Sequence, residues 1–413
     1  MAPSQQNLPV QRKHYAAASS LEVFHTGGPL ALSPDGTRLA CCCHDAVTIV
    51  DVATGKVAHT LEGDTEPVTA LAWSKDGRRV FSASRSMRCS VWDSTTGESV
   101  RTFKAHGMPV LHMICDPTGT LLCTSSADRT ARVWDVAKGF CTHAFRGHAA
   151  MVTVAAFHPD ARRSQLYTGA DDGEVRAWSL TDRQCVGVMH AHQSSVTALD
   201  VPMAAEGGSN RLLSAARDRV VHEWDLRTHA RTATVPVHEA VEGLVALDPT
   251  AAIGLIGQKA FASKPTAVYF ATAGEKGVVR VWRMGSAKPV AEGPSLRTAN
   301  GGVTGRGGVR RGDDEVGGND DMAAGTFTSL HPTPGGDGVL ACTGDSRLLF
   351  YGSGSGSIGS GSSAADKLKH NAVAAAANAS EEGSIVIERE LIGNTDEIIS
   401  AAFLPMPGAT AGS

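Results

Sequence analysis

Short apolar runs alternate with polar turns along most of this chain, and one kind of run returns at a near-constant interval. It reads Thr48-Ile49-Val50-Asp51, then Cys89-Ser90-Val91-Trp92-Asp93, then Ala131-Arg132-Val133-Trp134-Asp135. It returns as Val175-Arg176-Ala177-Trp178, Val220-Val221-His222-Glu223-Trp224-Asp225, Val279-Arg280-Val281-Trp282 and Leu348-Leu349-Phe350-Tyr351. Counted at positions 50, 92, 134, 178, 224, 282 and 351, the steps are 42, 42, 44, 46, 58 and 69 residues. Runs this short, alternating in polarity and rich in β-branched residues, predict strands rather than helices.

The stretch from Phe140 to Trp178 shows one unit. Cys141 to Phe145 reads as a short outer strand, and Gly147-His148 turns the chain inward. Val152 to Phe157 is small and β-branched, as a crowded innermost strand requires. His158-Pro159-Asp160 opens a turn, because Pro fixes φ and Asp bonds to the backbone. Gln165 to Gly169 is the next strand, Asp171-Asp172-Gly173 a tight hairpin, and Glu174 to Trp178 closes the unit. A period of about 40–45 residues ending in Trp-Asp is the WD40 signature of a four-stranded propeller blade. The expected fold is all-β: a seven-bladed WD40 β-propeller with a partial strand set of a further blade at the C-terminus.

Three units share a constellation of His in the inward turn, Ser/Thr ten before the Trp, Asp six before it, and the Trp itself. The sets are His106/Thr124/Asp128/Trp134, His148/Thr168/Asp172/Trp178 and His192/Ser214/Asp218/Trp224. A Ser-His-Asp grouping could signal a hydrolase. Its recurrence once per unit argues against that, because an enzyme does not repeat its nucleophile around a ring. The expected role is structural: Asp orients His, His bonds the hydroxyl, and the hydroxyl takes the Trp N–H. The other units depart from the set. The second has Asp64 in place of the His and Ser86 in place of the Asp; the sixth keeps His238, Thr272 and Trp282 but has Lys276 at the Asp position. The first and seventh have Val50 and Tyr351 instead of Trp.

Composition sets the organisation. Residues 1–20 read as a tail, 21–351 as the propeller with a Gly-rich insert at 285–325, and 352–383 as a Gly/Ser/Ala-rich loop. Residues 384–405 read as the start of a further unit and 406–413 as a tail. Both Gly-rich stretches are too poor in large apolar residues to build a core. Arg306-Gly307-Gly308 has an RGG character that can serve RNA contact, but Asp313, Asp314 and Glu315 cancel its charge. Two strands compete to complete the last blade, Leu21 to Phe24 and Ile385 to Glu388.

A net charge of −4 is not that of a polyanion-binding body. No apolar run reaches membrane-spanning length, and Met1 to His14 lacks the apolar core of a signal peptide. The nine cysteines include Cys41-Cys42-Cys43 but no CxxC pair, and neither a phosphate loop nor metal-ligand spacing is found. The expectation is therefore no catalytic residues, no cofactor, no metal and no small-molecule substrate.

Several stretches carry a family likeness, and the degenerate one from Thr234 to Glu242 is not demanded by any blade. They are Leu21 to Phe24 with Gly27-Gly28, Phe145-Arg146-Gly147-His148, and Arg176 to Leu180 with Asp182 to Cys185. Further ones are Thr234-Val235-Pro236-Val237-His238-Glu239-Ala240-Val241-Glu242, Val268 to Gly274, and Gly393 to Phe403. In these the chain resembles the transducin-beta-like protein 3 family, the Utp-thirteen component of the small-subunit processome. The family has two tandem propellers and a helical C-terminal domain, of which this sequence matches the first propeller. The resemblance implies a nuclear, nucleolar scaffold among other WD40 proteins, reaching the U3 snoRNP and pre-rRNA indirectly. A rival reading rests on Trp224-Asp225-Leu226-Arg227, a box similar to that of substrate receptors of cullin-four ubiquitin ligases. There Trp224, Asp225 and Arg227 would meet the partner, the Arg offering a planar fork to a carboxylate.

Overall fold

Each repeat forms one antiparallel sheet of four strands, and seven such sheets are present among the described residues. The structure is a computed structural model, and it describes residues 24–202, 210–265, 267–296, 326–333, 338–344, 346–352 and 385–392. The blades span 30–61, 68–104, 110–146, 152–190, 196–236, 241–292 and 327–392. In every blade the strands pair in chain order, and from the first blade to the seventh each first strand touches the first strand of the next blade. The fourth blade runs Val152–Phe157, Gln165–Ala170, Glu174–Ser179 and Gln184–His190, with the two middle strands buried and the last mostly exposed. The strand Cys141–Arg146, which opens the sequence unit, is the outer strand of the preceding blade. The sequence repeat and the blade are thus offset by one strand.

Two irregularities recur and shape the blades. The third strand shifts register against the fourth just before the Trp position, between Val91/Trp92, Val133/Trp134, Ala177/Trp178 and Glu223/Trp224. The same shift precedes Val50 and Tyr351, so these two residues do occupy the Trp position. A bulge there adds twist and lets one large side chain turn towards the neighbouring blade. Five residues before each of these positions in blades two to seven, the hairpin residue has positive φ: Met87, Arg129, Gly173, Arg219, Gly277 and Ser346.

The core is divided into seven apolar clusters, one at each junction between adjacent blades. Trp134 packs with Phe81 and Val91 of the preceding blade and lies 4.7 Å from the Phe103 ring. Trp178 repeats this against Phe145 at 4.9 Å. The ring closes where Leu340, Cys342 and Leu348 of the seventh blade meet Phe24, Leu39, Cys41 and Val50.

The structure differs from the sequence expectation in four places. The seventh blade takes Val386–Ile392 as its outer strand, so the propeller extends past 351 into the segment expected to begin a further unit. Its rival leaves Phe24 buried at the seam outside any strand, and residues 21–23 lie outside the described residues. Residues 285–296 are not part of a loose insert: Ala291–Glu292 is the fourth strand of the sixth blade and Leu296 is buried. Finally, helices α1 (Pro249–Ile256) and α2 (Gln258–Ala262) sit between the first two strands of the sixth blade. Pro249 after Asp248 is a helix-start signal, and Ala252, Leu255 and Ile256 pack into the sixth–seventh junction. The segments 297–325, 353–384 and 393–413 lie outside the described residues.

Candidate functional site

The three complete constellations come together as hydrogen-bonded chains beneath one rim. In the third blade His106 Nδ1 is 2.9 Å from Asp128 Oδ2, and His106 Nε2 is 2.8 Å from Thr124 Oγ1, which accepts the Trp134 N–H at 2.9 Å. In the fifth, His192 Nδ1 is 2.9 Å from Asp218, His192 Nε2 is 2.7 Å from Ser214, and Ser214 accepts the Trp224 N–H at 2.8 Å. The fourth is looser. His148 Nε2 meets Thr168 at 2.8 Å and Trp178 donates to Thr168 at 2.8 Å, but His148 Nδ1 stands 3.5 Å from Asp172 and makes no hydrogen bond. Asp172 instead accepts the backbone N–H groups of Ala149 and Glu174, each at 2.9 Å.

Electrostatics bind each chain together. Burial pushes the His106 imidazole below its usual range, against the pull of Asp128. Burial likewise opposes ionisation of Asp128, yet its bonds from Thr130 and His106 hold the carboxyl below the usual range. The hydroxyls of Thr124, Thr168 and Ser214 are fully buried. A serine or threonine so enclosed, already committed to His and Trp, has no approach for a substrate carbonyl.

The incomplete blades solve the same problem with other groups. In the second, Ser84 donates to Asp64 at 2.7 Å, Ser86 also donates to Asp64, and Trp92 donates to Ser82 at 2.8 Å. In the sixth, Trp282 donates to Thr272 at 2.9 Å, but His238 is exposed with φ 62° and takes no part. Glu239 occupies the buried place, fully enclosed, paired with Arg280 and accepting the Lys276 N–H at 3.2 Å. The sequence reading placed His238 there; the structure shifts the role by one residue and inverts its charge. In the seventh blade the hydroxyl position is Ala341; in the first, where the hairpin is one residue shorter, Cys41 pairs with Thr48 at that place, so neither blade has the Trp or its hydroxyl acceptor.

The box at the end of the fifth blade does not present its Trp. Trp224 is buried and its N–H is used by Ser214. Asp225 turns back to accept the Arg227 N–H at 2.8 Å, leaving Arg227 the exposed member. Sequence patterning also missed the exposed apolar residues. Met108 and Met151 follow the inward turns of adjacent blades at 50% and 42% exposure, with Leu111 nearby in sequence. Val100, Phe140, Val186 and Val188 lie on or beside the outer strands of blades two to four. A cleft between blades two and three, lined by Val100, Arg101, Phe103 and Trp134, holds about 40 Å³, room for little more than water. No helix among the described residues is long and apolar enough to cross a membrane. Two His/carboxylate groups do converge among the described residues: His192, Asp218 and His222, and His148, Asp172 and Glu174.

The family model for the WD domain, G-beta repeat, matches residues 55–93, 97–135, 139–179 and 183–225. Transducin beta-like protein 3 of Rattus norvegicus is 38% identical over 289 residues, 69% of this chain and 35% of the relative. The chain therefore spans about a third of that relative's length. DDB1- and CUL4-associated factor 13 of Gallus gallus is 34% identical over 77 residues, 19% of this chain and 16% of the relative. Among solved structures, RRP9 WD40 repeats superpose with a TM-score of 0.54 at 18% identity, covering 71% of this chain and 78% of that one. That last likeness is one of fold.

Proposed function

We propose, from the premise that this chain is a WD40-repeat propeller resembling transducin beta-like protein 3, that it is a non-catalytic scaffold of the small-subunit processome. On this reading it acts in 18S pre-rRNA processing within the nucleolus, placing other WD40 proteins and the U3 snoRNP in fixed relation. The observation that carries the reading is the 38% identity sustained over 289 residues. The site geometry supports the non-catalytic part: the hydroxyl of each repeated set is enclosed and committed to its His and Trp. What remains for partners is rigid surface, including the exposed apolar residues on blades two to four. A formal charge of −4 favours contact with pre-rRNA through proteins, since few phosphates would be neutralised.

The alternative, a substrate receptor of a cullin-four ligase, keeps one supporting feature in exposed Arg227 and one in the short similarity to the chicken factor. Depletion of the protein separates the two. Loss of 18S rRNA with accumulation of small-subunit precursor, and recovery of U3 snoRNA on the purified protein, is the expected result. Unchanged 18S rRNA with stabilisation of a ubiquitinated protein would replace the scaffold reading with the receptor.

A further inference from the structure

The fifth blade carries a complete hydrogen-bonded chain and differs from its neighbours two residues before the Trp. The third and fourth blades have Arg132 and Arg176 at that place, and the sixth has Arg280. Each guanidinium is engaged beside the buried acid. Arg132 donates to the Ala105 carbonyl at 2.9 Å and lies 4.0 Å from Asp128; Arg176 is held by Glu174 at 2.8 Å; Arg280 pairs with Glu239. The fifth blade has His222 instead, a neutral ring with a lone pair where the others carry a fixed cation.

His222 is buried, and its ring centroid lies 4.4 Å from that of His192 with the planes 42° apart. Its Nδ1 is 2.9 Å from the Thr234 hydroxyl on the outer strand. Its Nε2 is buried without a hydrogen bond; the Ala191 carbonyl is near but outside hydrogen-bonding geometry. One ligand atom each from His192, Asp218 and His222 fall within 4.8 Å of one another. A tetrahedral zinc ion with bonds of about 2.0–2.1 Å needs ligand separations of about 3.4 Å, so His192 Nδ1 and Asp218 Oδ2, 2.9 Å apart in their hydrogen bond, open slightly to admit it.

We propose that His192, Asp218 and His222 form a site for one divalent d-block cation of the zinc class, with water in the fourth position. Two imidazole nitrogens and one carboxylate oxygen suit such an ion better than calcium or magnesium, which take oxygen ligands. With the Nδ1–H of His222 donated to Thr234, Nε2 carries the lone pair that binds. His192 now gives its Nδ1–H to Asp218. Binding moves that proton to Nε2, where Ser214 at 2.7 Å accepts it and turns its own hydrogen aside. The imidazole stays neutral, no proton is lost overall, and Ser214 still accepts the Trp224 N–H. The ligand's second nitrogen is then oriented by a hydroxyl, as metal-bound histidines usually are by an outer partner. The group His148, Asp172 and Glu174 is an internal control, because Arg176 bonded to Glu174 puts a positive charge where the ion would sit.

The test is a titration of the full chain with Zn²⁺ by calorimetry and with Co²⁺ by visible absorption. Cys141 and Cys185, the exposed thiols, are first changed to serine. The expected result is one saturable equivalent and a Co²⁺ spectrum free of a thiolate band. His222→Arg, which installs the residue of the neighbouring blades, and His222→Gln should each weaken binding by at least about tenfold. Both should keep the wild-type melting profile without metal, and Glu174→Gln should bind as wild type. Absence of saturable binding, equal binding by both His222 variants, or a thiolate band would overturn the site. The first of these would mean that His222 merely substitutes for the arginine that bonds the preceding carbonyl.

Discussion

The third and seventh blades fill the same place in opposite ways. In the third, Trp134, Thr124, His106 and Asp128 form an unbroken polar chain inside the core. In the seventh, Tyr351 stands at the Trp position and Ala341 at the hydroxyl position, both within the apolar junction with the sixth blade. The first blade makes a paired change of its own, to Val50 and Cys41. The difference shows that the chain behaves as a unit. A buried hydroxyl without its Trp and His, or a Trp N–H without its hydroxyl, costs about 1–3 kcal/mol, while removing both partners can be nearly neutral. The first and seventh blades have each lost the network as a set; around Val50 packing of Phe24, Leu340 and Leu348 replaces it, and around Tyr351 packing of Val245, Phe327 and Leu330.

The largest expected break lies in the sixth blade, between the two types. Glu239 is fully buried against Arg280, so Glu239→Ala leaves a mostly buried guanidinium with only the exposed Glu292 as partner. Breaking a buried pair from one side costs about 3–5 kcal/mol. Its exposed neighbour should not matter: His238→Ala is expected within about 0.5 kcal/mol of wild type. Urea melts of the two variants check this, and equal losses would return the role to His238.

In the fourth blade, Thr168→Ala orphans both the Trp178 N–H and His148 Nε2, each at about 1–3 kcal/mol. The double variant Thr168→Ala with Trp178→Tyr mimics the seventh blade and should lose less than the two single changes added. A double-mutant cycle by chemical denaturation reads the coupling, and strict additivity would refute the idea of a unit.

Acid should act on both blade types. Burial pushes His112, His331 and His222 down to about 4, with His331 adding to the effect on His112 and His192 to that on His222. Below about 6.5 the unfolded chain takes up protons that the folded one refuses until near pH 4. Stability is therefore full above about 6.5 and falls as the pH drops towards 4. Asp200 opposes this, since burial raises its carboxyl to about 6 and the folded chain holds a proton the unfolded one has lost. Three histidines outweigh one aspartate, so denaturation midpoints should be lower at pH 5 than at pH 7.5. A flat profile would mean that these histidines are hydrated.

Much of this was legible because the signal is local. The seven strand runs, the Trp spacing and the His/hydroxyl/Asp offsets lie within a single repeat, where periodicity reads directly. What escaped depends on distant partners. The outer strand Val386–Ile392 pairs with 347–352 across a long intervening stretch, so neither claimant could be preferred from sequence. Glu239 displaces His238 because Arg280, on another strand, supplies its counter-charge. His222 reads as an ordinary strand residue until the fold sets it against His192. Helix α1 carries a start signal in Asp248-Pro249, but it is only two turns long and set within a strand repeat that no other blade interrupts with an α-helix among the described residues.

Finer contrasts are smaller. Asp128 bonds His106 at 2.9 Å, whereas Asp172 stands 3.5 Å from His148 and serves backbone N–H groups. Both changes to Ala should cost about 1–3 kcal/mol, with Asp128→Ala the costlier and Asp172→Ala sparing the His148 orientation. Ring-proton shifts of the two histidines by NMR would separate the cases, and equal shifts would show that Asp172 orients its His after all.

The smallest expected effect comes from the sixth–seventh junction and has the opposite sign. Tyr351 is buried, stacks edge-on against Phe327 at 6.3 Å, and its hydroxyl has no hydrogen-bond partner. Burial pushes that phenol up, as befits a group sealed from water. At the equivalent place Trp134 and Trp178 give their N–H to a threonine, but here Ala341 offers nothing to accept. The hydroxyl therefore bears a desolvation cost with no bond to offset it. Tyr351→Phe removes one atom, keeps the ring contacts and should leave stability unchanged or raise it by up to about 1 kcal/mol. Thermal melts against Thr168→Ala make the contrast: loss of a hydroxyl harms the fourth blade and spares the seventh. A clear loss in Tyr351→Phe would mean that this junction holds a bound water and is not filled by apolar packing alone.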